Sequence, residues 1–523
     1  MIKNPKLSNF QFYYFFLIIG ILVRFISLET KGMEDVDVMI NWGISISTLG
    51  WDKGYLAIYF PTSHLIFNTI VELSTLFSIE VFTLFSIVRL LSDVVFVLLL
   101  IYLNNVGAMS RKIVLLIWLN PLLITLTLSG YTDTFSITLI AACLVSLYLF
   151  QMKKTSFFGW QSGFLLAFFI FLKPQTLLLT GFLFFFLILY TLFYSKSFKL
   201  IKRIYVLIPL FFPSVILFAL YSALLSSPTK LSCGDDIGPR TISSLEYQDL
   251  TEWNICLSPD QVGMTYPKLG PGVCVENKYK AFAPLRDNGV CVKNYEFSSP
   301  VTVKDFGETG FNKLKNQIIN GSSEHMPSYS ANMPNIWHIY VVNSLDFDNS
   351  REVWFYKADE SFNKLVWLTV LLFTFIYTII IFWKNQKEIN SFFKLFSLIG
   401  FPITFIIPIF ATLAHENHFA LGLFFTYLLL NLGLVNKVFS KLLHFLVILI
   451  SGALALNVSR LYLWPMWEAS SNSILQVLGS FLGEIITFPN IHQISLIVSV
   501  AALIFLVCIP LTQIPRRQSP NIK

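Results

Sequence analysis

Charge is scarce in this chain. Only 13% of its 523 residues are Asp, Glu, Lys or Arg, against about 25% in a soluble globular protein. So little charge cannot cover a soluble surface of this size, so lipid must cover much of it. Glycine-rich phosphate loops are missing as well. Nothing resembles a P-loop or a dinucleotide-binding fingerprint, which removes the usual nucleotide-dependent architectures. There is no low-complexity region and no internal repeat. Closely spaced cysteine pairs and an H-E-x-x-H run are absent, so no metal is expected. No small-residue cleavage site follows the apolar run that starts near Phe10, which reads as an uncleaved first helix. The net charge of +7 is no nucleic-acid signal, because its basic residues are scattered through short loops.

Long apolar runs are what the chain has in excess. Hydrophobic residues make up 55% and aromatics 16%. A helical bilayer crossing needs about 20 apolar residues. Runs near 10–28, 82–103, 112–129, 134–151, 158–175, 176–195, 203–226, 363–383, 393–413, 418–435, 438–457 and 493–513 qualify. The expected fold is an all-α polytopic membrane protein of about 12 transmembrane helices. Basic residues then set its orientation. Lys3 and Lys6, Arg111 and Lys112, Lys153 and Lys154, and the Lys196, Lys199, Lys202 and Arg203 group fall on one side. Lys384 and Lys387, Lys437 and Lys441, and Arg516 and Arg517 fall there too. That side is the cytoplasm, with both termini in it.

One stretch decides the scheme. Tyr55–Phe77 is apolar enough to span, yet carries Thr62, Ser63, His64, Asn68, Thr69, Glu72 and Ser74. A crossing there would move every later basic loop outside. Gly32–Ile79 is therefore read as one long outer loop with helices lying along the membrane surface. The organisation becomes a core over 1–227 with a first outer loop at 29–81, an outer subdomain at 228–360, and C-terminal spans over 361–523. The 228–360 segment is polar and holds Cys233, Cys256, Cys274 and Cys291. Four cysteines on an oxidising side suggest two disulfides, with three possible pairings. Asn320-Gly321-Ser322 is a glycosylation triplet.

Ionisable residues at membrane depth are costly and mark function by default. Six polar groups fall at the outer ends of spans. Glu34, Asp35 and Asp37 follow the first span, and Asn41 and Trp42 come soon after. A carboxylate there suits a general base toward a hydroxyl, or simply a solvated loop. Arg89 and Asp93 stand four apart on one helix face, so they are expected to pair near the outer end of span two. Gly130-Tyr131-Thr132-Asp133 puts Tyr131 and Asp133 at the outer surface, or is a plain turn. Lys173-Pro174-Gln175 breaks an apolar stretch, and its ammonium either meets a lipid phosphate or snorkels to the interface. Asn332-Met333-Pro334-Asn335-Ile336-Trp337 closes the large loop, with Trp337 as an interfacial anchor. His415-Glu416-Asn417-His418 lacks zinc spacing, so its imidazoles suit hydrogen bonding to phosphate.

The order of these motifs resembles integral-membrane glycosyltransferases of the GT-C class that use polyprenyl-phosphate sugars. The dolichyl-phosphate-hexose glucosyl- and mannosyltransferases and their bacterial relatives are examples. The resemblance spans roughly residues 30–420. It rests on Asp35 followed by Trp42, on Tyr59-Phe60-Pro61, and on Arg89-Leu90 with Asp93. Leu119-Asn120-Pro121 leading to Gly130-Tyr131-Thr132-Asp133 comes next, then Lys173-Pro174-Gln175, Asn332–Trp337 and His415-Glu416. Many bacterial members carry Met-His-Glu-Arg-Tyr at the last motif, and Asn417 stands here where they have Arg.

The resemblance implies two long extracytoplasmic loops and hexosyl transfer, of mannose or glucose, on the outer face with inversion. Asp35 becomes the catalytic base and Asp37 its backup or an acceptor-orienting group. Lys173, His415 and Arg89 become donor-phosphate ligands. Tyr131, Asp133, Gln175, Asn335 and Glu416 become substrate-binding residues. The expected partners are membrane lipid, the polyprenyl-phosphate sugar, and a glycan, glycolipid or protein acceptor. No cofactor is expected. A plasma membrane is preferred over the endoplasmic reticulum, because no sorting tail is present. A polytopic transporter or lipid/glycan flippase is the rival class, and it predicts mid-span ionisable residues on several helices.

Overall fold

The computed structural model describes residues 5–30, 32, 34–51, 55, 60–191, 200–226, 310–311, 314–315, 334–344, 359–386, 388–389, 391–412, 418–433, 437–470, 472–486 and 491–512, with six short strands between 231 and 305. The first helices are α1 (Pro5–Phe25), α2 (Glu34–Leu49), α3 (Pro61–Phe77), α4 (Val81–Asn105) and α5 (Arg111–Trp118). They are followed by α6 (Pro121–Ser129), α7 (Asp133–Lys153), α8 (Ser156–Ile170), α9 (Pro174–Leu189) and α10 (Leu200–Leu224). Strands β1 (Leu231–Ser232), β2 (Ile255–Leu257), β3 (Thr265–Tyr266), β4 (Val290–Val292), β5 (Val301–Thr302) and β6 (Lys304–Asp305) pair as β1–β6, β2–β4 and β3–β5, all antiparallel. The rest is α11 (Ile336–Ser344), α12 (Glu360–Asn385), α13 (Phe392–Phe410), α14 (Phe419–Asn431), α15 (Lys437–Val458), a π turn at Ser459–Leu463, α16 (Trp464–Glu468), α17 (Ser473–Ile486) and α18 (Ile491–Thr512).

Apart from these six strands of two or three residues, this is an all-α polytopic membrane protein. Among the described residues nine helices are long and apolar enough to cross a bilayer. Nine of the twelve apolar runs read from the sequence carry these helices, and the other three carry shorter ones among the described residues: α8 with 15 residues, α9 with 16 and α14 with 13. Turn chemistry accounts for two of them. Lys173-Pro174 ends the α8 segment and starts α9, since proline at the first helical position sacrifices no hydrogen bond. The Arg111–Ser129 run is likewise two helices, because Asn120 Oδ1 accepts from the backbone N–H of Leu122 (3.0 Å) and Leu123 (3.2 Å) and Pro121 begins α6.

The layering follows burial. α13 is apolar all round and 94% of its span is buried, as expected of a helix at the centre of a bundle. It packs against α12, α14, α9 and α7. α1 and α12 instead turn Phe12, Phe15, Ile18 and Leu22, and Leu365, Leu368 and Leu372, outward, a face that only lipid tails cover favourably. α2 and α3 pack together, and α3 packs against α4. Neither α2 nor α3 is among the nine spanning helices. α17, with Ile474 and Val477 exposed, lies where the sequence suggested no element.

Candidate functional site

The turn between α6 and α7 gathers segments that are far apart in sequence. Gly130 ends α6 in the left-handed region (φ +90°), and Tyr131 N donates to Leu126 O at 3.0 Å. Gly32, also left-handed at φ +98°, lies directly against it. A Cβ on Gly130 would stand 2.8 Å from Gly32 Cα, 2.9 Å from Arg89 Nη1 and 3.0 Å from Val36 Cγ2. Gly32 ahead of α2, α2 itself, α4 and the Gly130 turn therefore touch at one point.

Beneath this contact lies a buried charge cluster. Arg24 Nε is 3.2 Å from Asp93 Oδ2. The same guanidinium donates to Gly20 O (3.1 Å) and Trp118 O (3.0 Å) and lies 3.8 Å from the centre of the Trp118 ring. Thr127 Oγ1 donates to Asp93 Oδ2 at 2.7 Å. Arg89 Nη2 donates to Ser27 O at 3.1 Å, whereas Arg89 Nε and Nη1 are buried with no hydrogen-bond partner. The expected Arg89–Asp93 pair is thus corrected. Asp93 takes Arg24 as its partner, because the Arg89 side chain is drawn to the carbonyl of Ser27. The depth is corrected too, since Asp93 sits in the middle of the 25-residue α4 rather than at its outer end. Two guanidinium groups against one carboxylate leave an excess positive charge beside the loop that leads to Asp35. That loop is also tied by Ser86 Oγ to Thr30 O (3.3 Å) and by Thr30 Oγ1 to Leu128 O (3.3 Å).

The other side of the turn carries the second ion pair, Lys173 Nζ to Asp133 Oδ2 at 3.1 Å, with both side chains buried. Sequence reading had these residues separately as phosphate and sugar ligands, and here they hold each other. The start of α3 is bonded to the backbone just before Lys173 and to Tyr221. Thr62 N donates to Phe171 O (2.8 Å), Ser63 Oγ to Leu172 O (2.6 Å), and Thr62 Oγ1 is 3.0 Å from Tyr221 OH. Tyr131 is buried rather than exposed. It is 2% exposed, with its ring edge-on to Tyr462.

His64, next to Ser63, is fully buried. Its ring stacks on Trp42 at 5.0 Å and meets Tyr55 at 4.6 Å. Nδ1 is 3.4 Å from Phe60 O and Nε2 has no partner. Loss of hydration pushes its pKa down to about 3, with the Phe60 carbonyl a smaller opposing influence. The imidazole is therefore neutral at physiological pH.

Asn335 closes the large loop by fixing backbone. Its Nδ2 donates to Pro408 O (3.2 Å) and Ala411 O (3.3 Å), and its Oδ1 accepts from Trp337 N (3.1 Å) and His338 N (3.2 Å). Trp337 Nε1 donates to Phe410 O at 2.6 Å. Trp337 is thus tied to the end of α13, shortly before the His415 motif in sequence. Asp37 is exposed on α2. Asp35 is placed in the first turn of α2, but its side chain and that of Gln175 lie outside the described residues. So do His415, Glu416, Cys233, Cys274 and Asn320. Among the described residues no group of three or more His, Cys, Asp or Glu is placed to hold a metal.

Arg24 and Thr127 were missed by sequence reading. An arginine inside the first apolar run was the signal for Arg24, since such a residue needs a buried partner. Thr127 left none, because a threonine in an apolar helix is unremarkable. The chain matches no protein-family model and no curated protein. Its site is read on its own chemistry.

Proposed function

We propose that this chain is a membrane hexosyltransferase that moves a sugar from a polyprenyl-phosphate donor to an acceptor hydroxyl on the extracytoplasmic face. The reading takes the three short apolar helices as crossings, which gives twelve spans, cytoplasmic termini and two large outer loops. One observation carries it. Gly32, Val36 and Arg89 come from separate parts of the sequence and meet against Gly130, and the Lys173–Asp133 pair begins three residues beyond it.

Asp35, in the first turn of α2, accepts the proton of the acceptor hydroxyl as its oxygen attacks the anomeric carbon. The bond from that carbon to the phosphate oxygen breaks, the electron pair leaves with the lipid phosphate, and the configuration inverts. Asp37 orients the acceptor. Lys173 and His415 stabilise the charge that grows on the departing phosphate, with Asp133 holding the Lys173 ammonium in place. Arg89 has a different role from the one its motif suggested. Buried and bonded to Ser27 O, it fixes the loop that carries the base.

The buried Arg24–Asp93–Arg89 cluster favours one rival, a transporter or lipid flippase, because intramembrane charges also line transport paths. Purified protein in detergent separates the two. Incubated with a panel of labelled polyprenyl-phosphate hexoses and host lipid and glycan acceptors, a transferase forms a labelled product and releases polyprenyl phosphate. A transporter forms none in detergent, and moves the donor only in sealed vesicles.

A further inference from the structure

The strand register within the 228–360 segment selects among its cysteines. β2 and β4 pair antiparallel with Ile255 opposite Val292, Cys256 opposite Cys291, and Leu257 opposite Val290. Directly opposed residues of an antiparallel pair have Cα atoms about 4.5–5.5 Å apart, inside the roughly 4.4–6.8 Å that a disulfide spans. Cys233 directly follows β1, which pairs with β6 at Lys304–Asp305 and meets no cysteine there. A two-stranded ladder of three residues is marginal by itself in water, so this pairing calls for a covalent tie. We propose that Cys256 and Cys291 form a disulfide, which leaves Cys233 and Cys274 as the only other two cysteines of the loop. The proposal rests on the outer-face reading of this segment, because such bonds persist only in an oxidising compartment. In forming the bond each thiol gives up its proton, and the pair gives up two electrons to the disulfide of a thiol-exchange oxidant. That oxidant leaves as its dithiol.

The sequence makes the test direct, because trypsin places the four cysteines on four different peptides. Cys233 falls in 231–240, Cys256 in 241–268, Cys274 in 269–278 and Cys291 in 287–293. Protein from native membranes is alkylated without reduction, digested and mapped by mass spectrometry. The expected species is 241–268 linked to 287–293, which separates into its two parts on reduction and persists in Cys233→Ser. A link from 241–268 to 231–240 or to 269–278 overturns the pairing and leaves the outer-face reading intact. All four thiols alkylated, and reached by an impermeant maleimide only from the cytoplasmic side, overturns both. The transferase reading is judged separately, by sugar transfer.

Discussion

Gly130→Ala tests whether the segment leading into α2 docks on the α6–α7 turn. Two penalties apply. A left-handed conformation costs a non-glycine residue about 1–2 kcal/mol. The added methyl would also stand 2.8 Å from Gly32 Cα and 2.9 Å from Arg89 Nη1. Gly32 Cα is backbone and cannot swing aside, so overpacking adds about 1–3 kcal/mol. The total is roughly 2–5 kcal/mol. Gly107 supplies the control, since it too is left-handed (φ +74°) but has nothing within 4 Å of an added Cβ. Gly107→Ala therefore carries the conformational penalty alone. Apparent melting temperatures of the purified variants in one detergent should fall further for Gly130→Ala than for Gly107→Ala. Equal shifts would refute the close approach of Gly32, Arg89 and Gly130.

Further expectations follow from the same geometry. Asp93→Leu leaves Arg24 and Arg89 buried without a counter-charge, at about 3–5 kcal/mol, whereas Arg24→Met leaves Asp93 beside Arg89 and Thr127. Asp93→Leu should therefore melt lower, and the reverse order would contradict the charge count. His64 has a folded pKa of about 3 against 6.5 when free. The unfolded chain therefore binds the extra proton between those values, and stability falls as pH drops below 6.5, by up to about 1.4 kcal/mol per unit. Melting between pH 6.5 and 5 should be less pH-dependent in His64→Phe, and an unchanged slope would sink the assignment. Asn335→Leu removes four hydrogen bonds at about 1 kcal/mol each, so it should destabilise by roughly 2–4 kcal/mol. A loss below about 0.5 kcal/mol would argue against the docked loop.

Much of the fold was legible in the sequence because lipid imposes a coarse rule. Nine of the twelve apolar runs became helices long and apolar enough to cross among the described residues. Within Tyr55–Phe77, the polar residues that argued against a crossing face protein: Thr62 and Ser63 bond the Phe171–Leu172 backbone and His64 stacks on Trp42. Side-chain partners were less legible. The four-residue spacing of Arg89 and Asp93 suggested a pair, yet local spacing says nothing of a carbonyl such as Ser27 O arriving from another helix. Tyr131 looked exposed beside a glycine turn because Tyr462, which covers it, lies hundreds of residues away. The link between Lys173 and Asp133, which are 40 residues apart, was hidden because no local spacing joins them, although each had been marked by its own sequence context.

The central claim is that a carboxylate at the start of α2 serves as the base for sugar transfer. The most direct measurement is the rate of hexose transfer from the accepted polyprenyl-phosphate donor by the native chain and by Asp35→Asn, at matched expression and matched melting temperature. The account predicts a loss of about 10²- to 10⁴-fold, the range for removing a general base, with a much smaller loss for Asp37→Asn. Transfer at the native rate by Asp35→Asn would contradict it.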